Sequence, residues 1–167
     1  LQFSYARVHN MPFFELDDNS TYSNKFLVIY DNVNHFSLCS EIDWAMNTNS
    51  KLSLKLDYHN YDLDSLIDYA YKPTIISKLG FLYNIGDKII PEIELVCFVD
   101  RSTVEDSGLS NSPVLNDIVD IDFALEYKYN TIFSAYFELK NLIGNYQIWE
   151  NYPVLGPQVF FGLSYKL

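Results

Sequence analysis

The chain has 167 residues, with 22 acidic against 11 basic side chains and a formal net charge of −11. This length suits one domain with a sizeable core, and the charge disfavours binding to the phosphates of nucleic acids. The composition is 49% hydrophobic and 17% aromatic, yet the chain has no apolar run long enough for a transmembrane helix. We therefore treat residues 1–167 as one domain whose hydrophobic residues are distributed along the chain.

The first residues carry no targeting signal. The segment LQFSYARVHN begins with Leu1 and has no basic region, apolar run or cleavage site. We expect that such a signal was removed or that the chain begins partway through a longer one. Cys39 and Cys97 belong to no CxxC motif or Cys/His cluster, so we predict neither a metal site nor a cofactor.

Alternation of apolar and polar residues, the period of a β-strand, recurs along almost the whole chain. It predicts about nine strands, near residues 1–14, 24–31, 35–46, 51–61, 74–84, 89–100, 117–128, 131–141 and 157–167. Helical periodicity competes only in DLDSLIDYAYK, which we interpret as a loop. The predicted fold class is therefore all-β.

Each predicted strand has one apolar and one polar face. In VDIDFALEYKY, Phe123 and Leu125 lie on the apolar face, and Asp122 and Glu126 lie on the polar face. The last strand ends in an equally regular apolar stripe. The acidic residues expected on the polar face are Glu41, Asp43, Asp57, Glu92, Glu94, Asp120, Asp122 and Glu126.

The links between the predicted strands are of two kinds. Links 62–73, 101–116 and 142–156 are long, link 32–34 is short, and the links after the fifth and seventh strands are tight turns. Long loops at one end and short turns at the other are typical of an outer-membrane barrel. Aromatic residues near both strand ends match two interfacial girdles. The pattern thus predicts an antiparallel transmembrane β-barrel with its apolar face toward lipid and its acidic face toward a wet lumen.

A soluble β-sandwich or a lipocalin-like barrel is the alternative, because alternation alone indicates only that one face is dry. Such a barrel directs its apolar face inward, where space for large aromatic side chains is limited. It also seldom has aromatic residues at both ends of its strands. The transmembrane interpretation is therefore preferred.

The C-terminal stretch FSAYFELKNLIGNYQIWENYPVLGPQVFFGLSYKL adds a resemblance. It resembles the end of TonB-dependent receptor-type barrels of Bacteroidetes-like bacteria, in which a strand ending in NL and an aromatic loop with a YP…G element precede the last strand. YAYKP followed by TIISKLGFLYNIGDKI also looks like an internal loop and hairpin of these barrels. The matching positions are Asn141, Leu142, Tyr146, Tyr152, Pro153, Gly156, Phe161 and Tyr165.

The resemblance implies a location and partners. It implies the outer membrane of a Gram-negative bacterium, contact with outer-membrane lipid, and recognition of the last strand by the barrel-assembly machinery. An energy-coupling protein and a surface lipoprotein are further implied partners. The residues implied as the assembly signal are Val159, Phe161, Leu163, Tyr165 and Leu167.

The chain also departs from the family pattern. It ends on Leu167 where the family usually has Phe, and it has no plug domain or energy-coupling box. Nine strands is an odd number, whereas bacterial single-chain barrels have even numbers. We therefore expect the chain to be the C-terminal part of a larger barrel.

Candidate ligand-binding residues have ordinary explanations. His9, His35 and His59 are scattered without a metal-binding motif, so we predict no catalytic site and no enzyme. The acidic face is most simply solvated and partly paired with lysines of neighbouring strands. Three aromatic residues of the last loop are candidates for contact with an extracellular ligand, although an interfacial girdle or loop packing explains them equally well: Tyr146, Trp149 and Tyr152.

Three functions remain open at this stage. The first is an outer-membrane barrel that takes up a nutrient or metal complex, which the resemblance favours. The second is a small closed barrel with a structural or adhesive role, and the third is a membrane-embedded hydrolase. A plug domain and further strands upstream would support the first function.

Overall fold

In the computed structural model, the described residues are 1–17, 25–65, 72–101, 115–149 and 152–166, and they form an all-β structure. Within these ranges, no helix is long and apolar enough to cross a membrane. The strands are β1 Gln2–Leu16, β2 Phe26–Ala45, β3 Ser50–Leu63, β4 Pro73–Tyr83, β5 Ile89–Arg101, β6 Ile118–Lys128, β7 Phe133–Lys140, β8 Gln147–Trp149, β9 Tyr152–Pro153 and β10 Gln158–Tyr165.

Eight of these strands form one antiparallel sheet in the order β1-β2-β3-β4-β5-β6-β7-β10, and β8 and β9 form a separate two-stranded pair. Every neighbour in the large sheet is also the next strand of that sheet along the chain. The edge strands β1 and β10 do not pair with each other, so the sheet is not closed into a barrel. The predicted all-β class is confirmed, while barrel closure stays a prediction.

The predicted division of residues 24–46 into two strands is wrong. Residues 32–34 continue β2, which runs without a break and pairs with β1 on one side and β3 on the other. The polar residues of DNVN, at positions 31–34, are of types common in turns. In the structure, this stretch lies opposite a β-bulge in β1 between Val8 and Met11. There, the side-chain oxygen of Asn32 accepts a hydrogen bond from the backbone N–H of Asn10, which has a positive φ of 54°. The Asn32 side chain thus provides a hydrogen-bond acceptor for a backbone N–H group of the bulge.

This correction makes the loop pattern more regular. The sheet contains eight strands, an even number, instead of the nine predicted. Residues 46–49, 84–88 and 129–132 join strands at one end, which we call the turn end. Residues 17–25, 64–72, 102–117 and 141–157 join them at the other, which we call the loop end. The predicted link 32–34 was the exception to this alternation, and in the structure these residues are part of β2.

The pairing registers keep one set of side chains on each face of the whole sheet. Directly opposite residues point to the same side of a sheet. One row of opposite residues crosses β5, β6, β7 and β10 on what we call the apolar face: Pro91, Leu125, Phe137 and Phe161. A parallel row on the other face, which we call the polar face, contains Glu41, Lys55, Lys78, Val96 and Asp120.

Little of the chain's hydrophobic surface is buried. Among the described residues, the buried apolar side chains are Phe13, Val33, Leu115 and Ile118. By contrast, Phe161 on the apolar face is 84% exposed, and Phe3 on β1 is 76% exposed. The apolar faces of central strands are also open, since Ile42 and Trp44 of β2 are each 56% exposed. Apart from the rings of Trp149 and Tyr152, which contact Phe14 and Phe26 at one end of β1 and β2, no described part of the protein covers this face of the sheet.

Candidate functional site: the polar face of the sheet

The structure brings the acidic residues predicted for the lumen onto one surface. Glu41 lies opposite Lys55, Asp43 opposite Ser53, and Glu94 opposite Asp122. All eight predicted positions share the polar face, because these rows continue from β2 to β6 without a change of side. Whether this face lines a lumen depends on closure of the sheet.

Five lysines lie among these carboxylates, and each is in an ion pair. Two pairs join neighbouring strands: Lys51–Asp43 at 3.0 Å and Lys78–Glu94 at 3.1 Å between nitrogen and oxygen. Three join residues two apart on the same strand, where side chains share a face. These are Lys55–Asp57, Lys128–Glu126 and Lys140–Glu138. The side chains are partly exposed, so each pair contributes at most about 1 kcal/mol.

Four of the eight predicted acidic residues are outside these five ion pairs: Glu41, Glu92, Asp120 and Asp122. Two of them, Glu92 and Asp122, line a cavity of about 160 Å³ together with Glu94, Glu138 and Lys140. The polar face is therefore acidic on balance even after its lysines are paired. Among the described residues, no group of three or more His, Cys, Asp or Glu side chains is arranged to hold a metal ion.

Near the loop end, two of the predicted acidic residues accept hydrogen bonds from the backbone of link 141–157. Asp120 is only 4% exposed, and its Oδ1 accepts a hydrogen bond from the N–H of Ile143 at 3.0 Å. Asp122 likewise accepts from the N–H of Asn141 at 3.0 Å. Asn141 has a positive φ of 56°, a conformation that Asn tolerates better than most residues. The two carboxylates thus hold the start of link 141–157 against β6.

The three aromatic residues predicted as extracellular ligand contacts pack within the protein. The Trp149 ring lies 4.8 Å from Phe14 and 5.2 Å from Phe26, measured between ring centroids, and Tyr152 lies 5.7 Å from Phe26. Tyr146 donates a hydrogen bond to the side-chain oxygen of Asn141. Burial, and next the neighbouring Asp120, raise the pKa of Tyr146 to about 12. The three residues therefore make loop-packing contacts in this structure.

Two histidines that are scattered in sequence meet on the polar face. His35 Nε2 and His59 Nδ1 are 3.2 Å apart, so one hydrogen is shared between the two rings. The Tyr61 ring stacks on His35 with 4.6 Å between centroids, and Lys72 Nζ lies 5.9 Å from the Tyr61 ring. In the observed register, His35 lies opposite Tyr61 and His59 lies opposite Ser37, so the two histidines are diagonal neighbours. The predicted four-residue turn NTNS would have placed residue 35 opposite residue 62, one residue away from this register.

Comparison of the chain with protein-family models, with curated proteins and with solved structures found no match. Function must therefore be argued from the site itself. The site is an acidic, partly ion-paired face on a sheet whose opposite face is apolar and, over most of its area, is not covered by described residues.

Proposed function

We propose that this chain forms part of the wall of an outer-membrane β-barrel, of the receptor or transporter type, that takes up a nutrient or metal complex. The single observation that supports it is the apolar face, which along most of the eight-stranded sheet is covered by no described part of the protein. In water, such a face would be an extensive aggregation surface. In a bilayer, lipid tails take the place of a protein core.

A soluble fold accounts less well for the same face. A β-sandwich or a lipocalin-like barrel would enclose its apolar side chains. Here Phe161 and Leu163 are 84% and 71% exposed, and the buried side chains Phe13 and Val33 lie on the polar face. This inverted distribution is the one that a membrane-embedded wall requires.

The charge of the polar face favours a wide lumen. An eight-stranded closed barrel has an interior that its own side chains fill. Glu41, Glu92 and Asp122 would then lose water without an ion-pair partner on this face, and burial of an uncompensated charge costs several kcal/mol. A water-filled lumen avoids this cost, and it requires further strands between β1 and β10. Passage of a nutrient or metal complex also requires such width.

The second candidate is a small closed outer-membrane barrel with a structural, adhesive or hydrolytic role. It is favoured by the count of eight strands, which is even and matches the smallest bacterial barrels. Here β1 and β10 would pair directly. In either barrel, the proposed partners include outer-membrane lipid and the barrel-assembly machinery. An energy-coupling protein and a surface lipoprotein are proposed partners of the uptake receptor only.

Disulfide cross-linking between the edge strands separates the two candidates. If the strands paired directly along their full lengths with matching faces, Tyr5 would stand opposite Phe161. We expect that Tyr5→Cys with Phe161→Cys, in full-length protein with Cys39→Ser and Cys97→Ser, gives no intramolecular disulfide in oxidised outer membranes, because other strands separate these positions.

The matched control is Ala135→Cys with Leu163→Cys, which joins directly opposite residues of β7 and β10 and is expected to cross-link. Efficient cross-linking of residues 5 and 161 alongside the control would instead establish the small closed barrel.

A further inference from the structure

Two histidines of the polar face approach each other through ring nitrogens. His35 of β2 and His59 of β3 are diagonal neighbours, and the atoms His35 Nε2 and His59 Nδ1 lie 3.2 Å apart. Both side chains are only half-buried, so a solute at the polar face can reach them. We call these two residues the histidine pair. Its facing nitrogens are close enough to bind one common partner.

The spacing of the histidine pair suits coordination of a single metal ion. Two nitrogens bound to one ion at about 2.0–2.1 Å lie about 2.9–3.4 Å apart when the angle between them is about 90–110°. The observed 3.2 Å is within this range. Neutral imidazole is a favoured ligand of Cu²⁺, Ni²⁺ and Zn²⁺. For both facing nitrogens to bind, the shared hydrogen moves to the other nitrogen of its own ring, and no proton is lost.

Two donors are too few to hold a bare ion. Protein sites that bind zinc supply at least three side chains, and closed sites supply four. Among the described residues, no third His, Cys, Asp or Glu side chain completes such a set with the histidine pair. An ion whose other positions are filled by its own carrier molecule needs only two donors from the protein. The histidine pair therefore fits a metal chelate with two exchangeable positions.

The surroundings of the histidine pair favour a chelate with negative charge. The Tyr61 ring stacks on His35, and Lys72 Nζ lies 5.9 Å from the Tyr61 ring centroid and 5.5 Å from that of Phe13. The charge of Lys72 acts on His35. The five lysines of the polar face strands are in ion pairs, whereas Lys72 makes no ion pair with a described carboxylate. Its charge can therefore attract a carboxylate of a carrier molecule.

We propose that His35 and His59 bind a transition-metal chelate whose carrier molecule bears carboxylates. The two imidazole nitrogens replace two water molecules on the metal, and the carrier keeps its own donors. Lys72 attracts the carrier's negative charge. This proposal names a substrate class for the uptake barrel, and it rests on the proposed function only for the route by which the chelate arrives.

Copper(II) nitrilotriacetate tests the coordination directly, because the complex is an anion with positions open to imidazole. The full-length protein in detergent micelles should have Cys39→Ser and Cys97→Ser, since Cu²⁺ oxidises thiols. We expect pulsed electron paramagnetic resonance to detect two imidazole nitrogens on the bound copper. In calorimetric titrations, His35→Gln and His59→Gln should each weaken binding about 100-fold, because the second donor acts at a high effective concentration once the first is bound.

His9→Gln is the matched control. His9 is the third histidine of the chain and is hydrogen-bonded to Asn32, so its loss should leave the affinity unchanged. Lys72→Met should weaken the binding of copper(II) nitrilotriacetate about threefold. The same substitution should leave the binding of copper(II) iminodiacetate unchanged, because that complex has no net charge.

Two results would overturn the metal site: signals from fewer than two imidazoles on the copper chelate in the parent protein, or parental affinity in both His35→Gln and His59→Gln. The first measurement uses no histidine variant, so it decides the question even if a variant fails to fold. A parent protein that gives the two-imidazole signal but forms no heat-modifiable species in the outer membrane would support the metal site and refute the proposed barrel.

Discussion

Phe137→Arg is expected to destabilise the membrane-inserted protein by about 2–4 kcal/mol. Phe137 is directly opposite Leu125 of β6 on one side and Phe161 of β10 on the other, so it lies within the apolar face. An arginine there must place its guanidinium in hydrocarbon or distort the bilayer to reach water. Leu125→Arg should have a similar effect. The measurement is reversible urea unfolding of the protein in lipid vesicles.

Ser134→Arg and Glu126→Arg are the matched controls for this experiment. Both positions are on the same two strands but on the polar face, where Ser134 lies opposite Ser164. A charged side chain there meets water or neighbouring carboxylates, so little change in the free energy of unfolding is expected. Equal costs on the two faces would contradict the assignment of the apolar face to lipid.

Leu163→Asp combined with Tyr165→Asp is expected to abolish outer-membrane insertion. These residues continue the apolar face on the edge strand β10, opposite Ala135 and Phe133, and are 71% and 67% exposed. Two carboxylates there remove the apolar stripe that we propose the assembly machinery reads. An unassembled edge strand is also prone to aggregation. The measurement is the fraction of protein with heat-modifiable gel mobility in outer-membrane preparations, and misfolded periplasmic material is expected instead.

Ser164→Asp and Lys166→Glu are the controls for the stripe. Ser164 lies between the two substituted residues but on the opposite face, and insertion should proceed almost normally in both controls. Normal insertion of the Leu163→Asp, Tyr165→Asp variant would mean that this stripe is not read during assembly. Leu167, the fifth predicted member of the signal, lies outside the described residues.

The sequence predicted the two faces well because a strand has a period of two residues and tolerates few exceptions. The assignment of Phe123 and Leu125 to one side agrees with the registers. The division of β2 was wrong for a local reason. Asparagine is common in turns, so Asn32 and Asn34 suggested one. In the structure, Asn32 instead accepts a hydrogen bond from the backbone of a bulge in β1. Composition alone does not distinguish these two uses of asparagine.

The polar face was predictable, and the contacts of β8 and β9 with the large sheet were not. Each acidic position follows from alternation, whereas the His35–His59 contact depends on a register that differs by one residue from that of the predicted turn. The contacts of Trp149 with Phe14 join residues far apart in sequence, and Arg101 binds backbone carbonyls, which have no sequence signature. Alternation therefore predicts which face a side chain occupies but not which link packs against it.

Quenching of Trp44 by lipids with brominated acyl chains tests most directly whether the apolar face contacts lipid. Trp44 is 56% exposed on that face, whereas the other tryptophan, Trp149, lies in link 141–157 and packs against Phe14 and Phe26. With Trp149→Phe, the emission of Trp44 in the inserted protein is predicted to be strongly quenched. With Trp44→Phe, the emission of Trp149 is predicted to be almost unchanged by the same lipids. Trp44 emission that is quenched no more than that of Trp149 would contradict the membrane-wall account.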